Sequence, residues 1–217
     1  MQKSDPHAGQ PVVRRGLAPA DARLTIILVH GRGADAADML GLAQELRLND
    51  VAYLAPEAAG HTWYPLSFLS PIEQNEPGIT SGLNVLGGLV AELERQGIAT
   101  DRVALMGFSQ GACLAQEFAA RHARRYAAII GLSGGLIGPP GTPRDYPGSL
   151  DGTPVFLGCS DVDAHIPVER VRESAEVFGR LGAAVDARIY PGMGHTVNRD
   201  ELQAIQSLLS PPISPRA

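Results

Sequence analysis

Apolar residues in this chain fall into two alternating spacings. Short unbroken runs come first. They are LTIILV (Leu24–Val29), VAYLA (Val51–Ala55), RVALM (Arg102–Met106), AAIIGL (Ala127–Leu132), VFLG (Val155–Gly158) and VDARIY (Val185–Tyr190). They are rich in branched aliphatics, and a Gly, Pro, Ser or His turn signal follows each. Runs apolar on both faces predict central parallel strands covered by helices on each side. Between them lie segments of helical periodicity, at Ala36–Leu46, Ile79–Gln96, Gln110–Arg121, Pro167–Leu181 and Arg199–Leu209. Pro167 suits a first helical turn, where its missing N–H is not needed. Gly97 and Gly182 stand where a helix C-terminus favours positive φ.

Strand–helix alternation of this kind predicts an α/β fold with an open, mostly parallel sheet. Ligands of such sheets bind beyond the carboxyl ends of the strands, so the chemistry should lie in the loops there. The expected organisation is a partly extended N-terminal segment (1–22), one domain (23–210) and a flexible proline-rich tail (211–217). Two long Gly/Pro-rich connections, 58–78 and 136–154, interrupt the alternation. The second is too short for a separate lid domain. Loops of this length in a compact domain are usually functional.

Composition narrows the class. The chain has 217 residues, 44% hydrophobic and 19% charged, with net charge −5. No basic footprint for nucleic acid is present. No run approaches the ~18 apolar residues of a membrane span, and the polar start MQKSDPHAGQ does not read as a secretory signal. The two cysteines, Cys113 and Cys159, read as buried free thiols in a reducing, cytoplasmic setting. They make no zinc site, and no metal or organic cofactor is expected. The pattern leaves oligomeric state open, a homodimer included.

Two segments fit Gly-x-Ser-x-Gly: GFSQG at 107–111 and GLSGG at 131–135. With 25 glycines in the chain the pattern is cheap, so context must decide. Ser109 has a strand before it and a helix after it, the setting of a nucleophile elbow. Ser133 runs into a Gly/Pro loop and reads as a small residue at a crowded strand end. A serine nucleophile needs a base. His7 lies in the polar N-terminus, His122 ends a helix, His61 sits in a loop and could line a pocket, and His30 reads as a loop-orienting residue. His195 follows the last strand, at the sheet edge that carries Ser109. The base needs a carboxylate. SDVDAHIP offers Asp161, which reads as a turn residue, and Asp163, further out on the loop. The order Ser109, Asp163, His195 is that of an α/β-hydrolase triad. Backbone N–H groups for an oxyanion are expected from Gln110, at the start of the helix, and from Arg32, in HGRGAD after the first strong strand. Trp63, Tyr64, Leu66, Phe68 and Ile166 are candidate pocket walls by loop position.

LVHGRGA, GFSQGA, SDVDAHIP and GMGH together resemble the phospholipase/carboxylesterase family of small α/β-hydrolases, which contains the acyl-protein thioesterases. TWYP and EQNEPG in the first long loop resemble its bacterial esterase branch. The resemblance spans Leu24 to about Leu209. It implies an α/β-hydrolase fold, a Ser109–His195–Asp163 triad and Arg32 and Gln110 as oxyanion donors. It also implies hydrolysis of small-molecule esters through an acyl-enzyme, with short to medium acyl chains expected from the missing lid. Thioesterase or lysophospholipase activity is the alternative within the family. A silent binding protein on the same scaffold is the alternative outside enzymes. Ala34 stands where the thioesterase branch usually carries Asp, which argues against a protein-deacylating role.

Overall fold

The computed structural model describes residues 5–210, so the tail expected at 211–217 lies outside the described residues. Seven strands form one sheet in the order β1-β3-β2-β4-β5-β6-β7. They are β1 (Val12–Gly16), β2 (Leu24–Val29), β3 (Val51–Pro56), β4 (Val103–Phe108), β5 (Ala128–Leu132), β6 (Pro154–Ser160) and β7 (Ala184–Tyr190). All pairs are parallel except β1 with β3, which pair from Val12–Pro56 to Gly16–Ala52. The helices are α1 (Ala36–Gln44), α2 (Gly78–Arg95), α3 (Gln110–Arg121), α4 (Val168–Arg180) and α5 (Arg199–Leu209).

Strands β2 and β3 are buried at every position, as unbroken apolar runs require. One core packs α2, α3 and α4 on one face of the sheet. A second packs α1 and α5 on the other. Strand β1 lies within the N-terminal segment expected to be only partly extended. Its signal is two valines followed by Arg14 and Arg15, and pairing to β3 makes it a strand. An antiparallel edge strand can place charges in solvent, and Arg14 there pairs with Glu92 at 3.0 Å. Pro167 stands at the cap of α4, one residue before the first turn where it was expected. Gly97 and Gly182 do have positive φ, at 78° and 80°.

Connection 136–154 carries no helix. A buried carboxylate holds it down. Glu117 on α3 accepts the Ile137 N–H at 3.0 Å and the Tyr146 hydroxyl at 3.1 Å. Arg144 sits 3.9 Å from the same carboxylate, and Arg121 sits 2.7 Å from it. A buried charge is tolerable only with such partners.

Candidate active site

The turn at the end of β4 is sharp. Ser109 has φ 53° and ψ −121°, a conformation a non-glycine residue rarely adopts. A Cβ on Gly107 would strike the backbone of Gly111 and Ala112, and one on Gly111 would strike the Val29 and His30 carbonyls. These glycines let α3 start directly under the serine. The elbow thereby lifts the Ser109 side chain to the carboxyl edge of the sheet, next to the loop after β2. A Cβ on Gly31 would lie 3.3 Å from Ser109 Cβ.

Asp163 and His195 arrive from the loops after β6 and β7, which are stitched together. Asp161 accepts the Gly192 N–H at 2.7 Å, and Ser160 Oγ accepts the Gly194 N–H at 3.2 Å. Asp161 is thus a turn carboxylate, while Asp163 reaches the histidine. His195 Nδ1 donates to Asp163 Oδ2 at 2.7 Å, and Nε2 faces Ser109 Oγ at 2.9 Å. The second Asp163 oxygen accepts the N–H groups of His165 (2.8 Å) and Ile166 (3.1 Å). Burial alone would push this carboxyl up. The His195 bond and the two N–H groups outweigh burial and hold it below the usual carboxylate range.

The N–H groups of Arg32 and Gln110 make no protein hydrogen bond among the described residues, whereas Gly33 N–H is taken by the His61 carbonyl at 2.7 Å. Both side chains are engaged elsewhere. Gln110 Oε1 accepts the Trp63 N–H at 2.8 Å, and its Nε2 donates to the Tyr64 carbonyl at 2.8 Å. Arg32 donates to the carbonyls of Tyr64, Pro65 and Leu66.

A cavity of about 510 Å³ opens at this point, within the size range of small-molecule sites. Of the expected wall residues, Tyr64, Leu66, Phe68 and Ile166 line it. Trp63 does not. It is fully buried, with its backbone N–H on Gln110 and its indole N–H on the His30 carbonyl at 3.0 Å. His61 does not line it either, and lies exposed with Nδ1 3.1 Å from the Ala34 carbonyl. His30 fits its expected role: Nε2 accepts the Ala58 N–H at 3.1 Å and Nδ1–H donates to the Gly31 carbonyl, and burial lowers its pKa. His7 departs from expectation. It is buried, with Nε2 donating to the Trp63 carbonyl at 2.9 Å and Nδ1 accepting the Ala59 N–H at 3.1 Å.

Sequence reasoning missed Cys113 and His165 as cavity residues. His165 packs edge-on to His195, with ring centroids 4.8 Å apart. Its position two residues after Asp163 was the available signal. Cys113 is one helical turn after Ser109, which puts it on the same face of α3. Burial pushes its thiol, and that of Cys159, up to about 12. Among the described residues no group of three or more His, Cys, Asp or Glu is arranged to hold a metal, and no helix is long and apolar enough to cross a membrane.

This arrangement, a hydroxyl on a strained strand-to-helix turn facing a carboxylate-bound imidazole, is accompanied by a family match over residues 10–212 to Phospholipase/Carboxylesterase. The chain belongs to that family. A phospholipase/carboxylesterase from Dyadobacter fermentans is 40% identical, with TM-score 0.90 over 93% of this chain and 97% of that one. Esterase PE8 is 25% identical, with TM-score 0.73 over 92% of this chain and 96% of its own. Acyl-protein thioesterase 1 of Saccharomyces cerevisiae is 26% identical over 89% of this chain and 94% of the yeast protein. As a phospholipase/carboxylesterase family member with an α/β-hydrolase fold, the chain is a hydrolase of the esterase/thioesterase type.

Proposed function

We propose that this hydrolase cleaves short to medium acyl esters by a Ser109–His195–Asp163 acyl-enzyme mechanism. The observation that carries the reading is the relay itself: Ser109 Oγ to His195 Nε2 at 2.9 Å, and His195 Nδ1 to Asp163 at 2.7 Å. Ionised Asp163 can only accept, so it fixes the tautomer that leaves Nε2 free to take the serine proton. Ser109 then attacks the ester carbonyl. The unengaged N–H groups of Arg32 and Gln110 receive the oxyanion, and one such donor is typically worth ~3–4 kcal/mol of barrier. His195 returns its proton to the leaving alcohol. Water, activated by the same imidazole, releases the acid and restores Ser109. Tyr64, Leu66, Phe68 and Ile166 supply the apolar wall for the acyl chain.

Thioester hydrolysis is the second reading, favoured by the yeast thioesterase relative, because the same oxyanion forms from a thioester. A fluorophosphonate probe followed by peptide mapping tests the nucleophile. One adduct on Ser109 is expected, and an adduct on Ser133 contradicts the assignment. Paired oxygen-ester and thioester series of increasing acyl length separate the two activities.

A further inference from the structure

Five of the residues lining the cavity come from one irregular stretch, Tyr64 to Phe68. That stretch has no helix or strand to hold it. Asn75 takes two of its groups, accepting the Leu66 N–H and donating to the Ser67 carbonyl, each at 2.8 Å. The Phe68 carbonyl accepts the Gly138 N–H, and the other three carbonyls converge on Arg32. Its Nη2 donates to the Tyr64 carbonyl at 2.9 Å and the Leu66 carbonyl at 2.6 Å, and its Nη1 donates to the Pro65 carbonyl at 2.9 Å. Among the described residues the Pro65 and Leu66 carbonyls have no other protein partner.

We propose that the Arg32 guanidinium is a positioning residue that builds the cavity wall and so sets how long an acyl chain the site accepts. A planar fork can gather three carbonyls from one side, a geometry an ammonium does not reproduce. Consecutive carbonyls drawn to one centre curl the backbone. The curl turns Leu66, whose side chain is largely exposed yet lines the cavity, along the path of a substrate chain. Arg32 also offers its backbone N–H to the cavity that holds Ser109. One loop therefore ties the reacting carbonyl to the wall that receives the rest of the acyl group. This specificity argument rests on the ester-hydrolase reading above.

The test exploits the fact that every substitution at 32 other than proline keeps the backbone N–H. In Arg32→Ala, the readout is the ratio of kcat/KM for p-nitrophenyl hexanoate to that for p-nitrophenyl acetate, because both esters use the same oxyanion donors and any change there cancels. That ratio is expected to fall at least tenfold, since each buried methylene adds about fourfold when the wall is in place. Added guanidinium ion should restore part of the hexanoate rate, and Arg32→Lys should fall between. Equal losses on both esters overturn the proposal. Amide hydrogen exchange of residues 64–70 provides an arm independent of activity. Exchange at least tenfold faster in Arg32→Ala supports the clamp, and unchanged exchange overturns it. If wild type cleaves neither ester, the functional reading fails and exchange alone decides the clamp. Should Arg32→Ala fail to fold, Arg32→Lys carries both arms.

Discussion

Gly107–Gly111 and Gly131–Gly135 carry the same five-residue pattern and fold alike as far as the serine. Each ends a parallel strand. Each serine has a left-handed φ, 53° for Ser109 and 49° for Ser133. Each serine N–H bonds to a carbonyl of the adjacent strand, Ser109 to Leu132 at 2.9 Å and Ser133 to Gly158 at 2.7 Å. The two part company beyond it. A helix begins at Gln110, whose N–H is free, and an imidazole stands across from Ser109. After Ser133 the chain enters the 136–154 loop, and the hydroxyl is fully buried without a hydrogen-bond partner among the described residues. Strain at the serine is thus a property of this kind of strand end and does not by itself mark a nucleophile. The base, and the helix amide beside the hydroxyl, separate the two.

If the relay is the difference, cutting it should reduce Ser109 toward an ordinary serine. Asp163→Asn is expected to keep the fold and lower kcat about 10⁴-fold, by analogy with the serine-protease triad, through the wrong His195 tautomer. Asp161→Asn is expected to lose less than tenfold in kcat and about 1 kcal/mol in stability, because its carboxylate only holds the Gly192 N–H. Circular dichroism with kcat measurements on both variants checks this. A dead Asp161→Asn beside an active Asp163→Asn reverses the roles.

The first glycines of the two turns differ as sharply as the serines. A Cβ on Gly107 meets backbone, including Ala112 N at 2.6 Å, which cannot yield without moving α3. A Cβ on Gly131 meets the Gln116 carboxamide, a side-chain end with no hydrogen bonds to lose. Gly107→Ala is therefore expected to cost about 3 kcal/mol or more, and Gly131→Ala about 1 kcal/mol. Urea denaturation measures both, and equal costs would make the two turns structurally equivalent.

Legibility followed the same line. The central strands and the Ser–Asp–His order could be read because an apolar run or a turn signal is local. Strand β1 could not, since two valines do not make a strand until β3 supplies its partner. Trp63 was placed in the cavity because loop position gives proximity and not side-chain direction. The indole N–H points to the His30 carbonyl, a partner far away in sequence. The Arg32 guanidinium and His7 were legible only as a charge and part of a polar terminus, because their partners are backbone carbonyls and amides that no sequence pattern displays.

Two carboxyls on this edge respond to pH with opposite signs. Burial raises Glu201, fully enclosed beneath Gly158, from 4.5 to about 7. The native state therefore keeps a proton that the unfolded chain has lost, and this contribution to stability falls as pH rises from about 4.5 to about 7. The shift corresponds to a loss on the order of 3 kcal/mol. Asp163 is shifted the other way, so its contribution is present above about pH 4 and is lost only as pH drops further. Glu201→Gln should flatten the upper slope and leave the acid limb intact. Thermal unfolding across pH 3–8 separates the two, and an unchanged upper slope would remove Glu201 from the account.

The smallest expected effect bears most directly on whether the second turn is inert. Ser133→Ala removes a buried hydroxyl that has no hydrogen-bond partner, and the alanine must accept the same φ, so backbone strain is unchanged. Deleting an unsatisfied buried polar group is neutral or stabilising, here by up to about 1 kcal/mol. The Ser133 hydroxyl lies close to the Cys159 thiol, whose Sγ is 3.8 Å from Asp163 Oδ2. The Cys159 sulfur therefore connects Ser133 to Asp163. If the hydroxyl only fills space, kcat of Ser133→Ala stays within twofold of wild type and its melting point holds or rises. A tenfold loss of kcat with the fold intact would mean that Ser133 orients the thiol on Asp163, and the two turns would then be halves of one site.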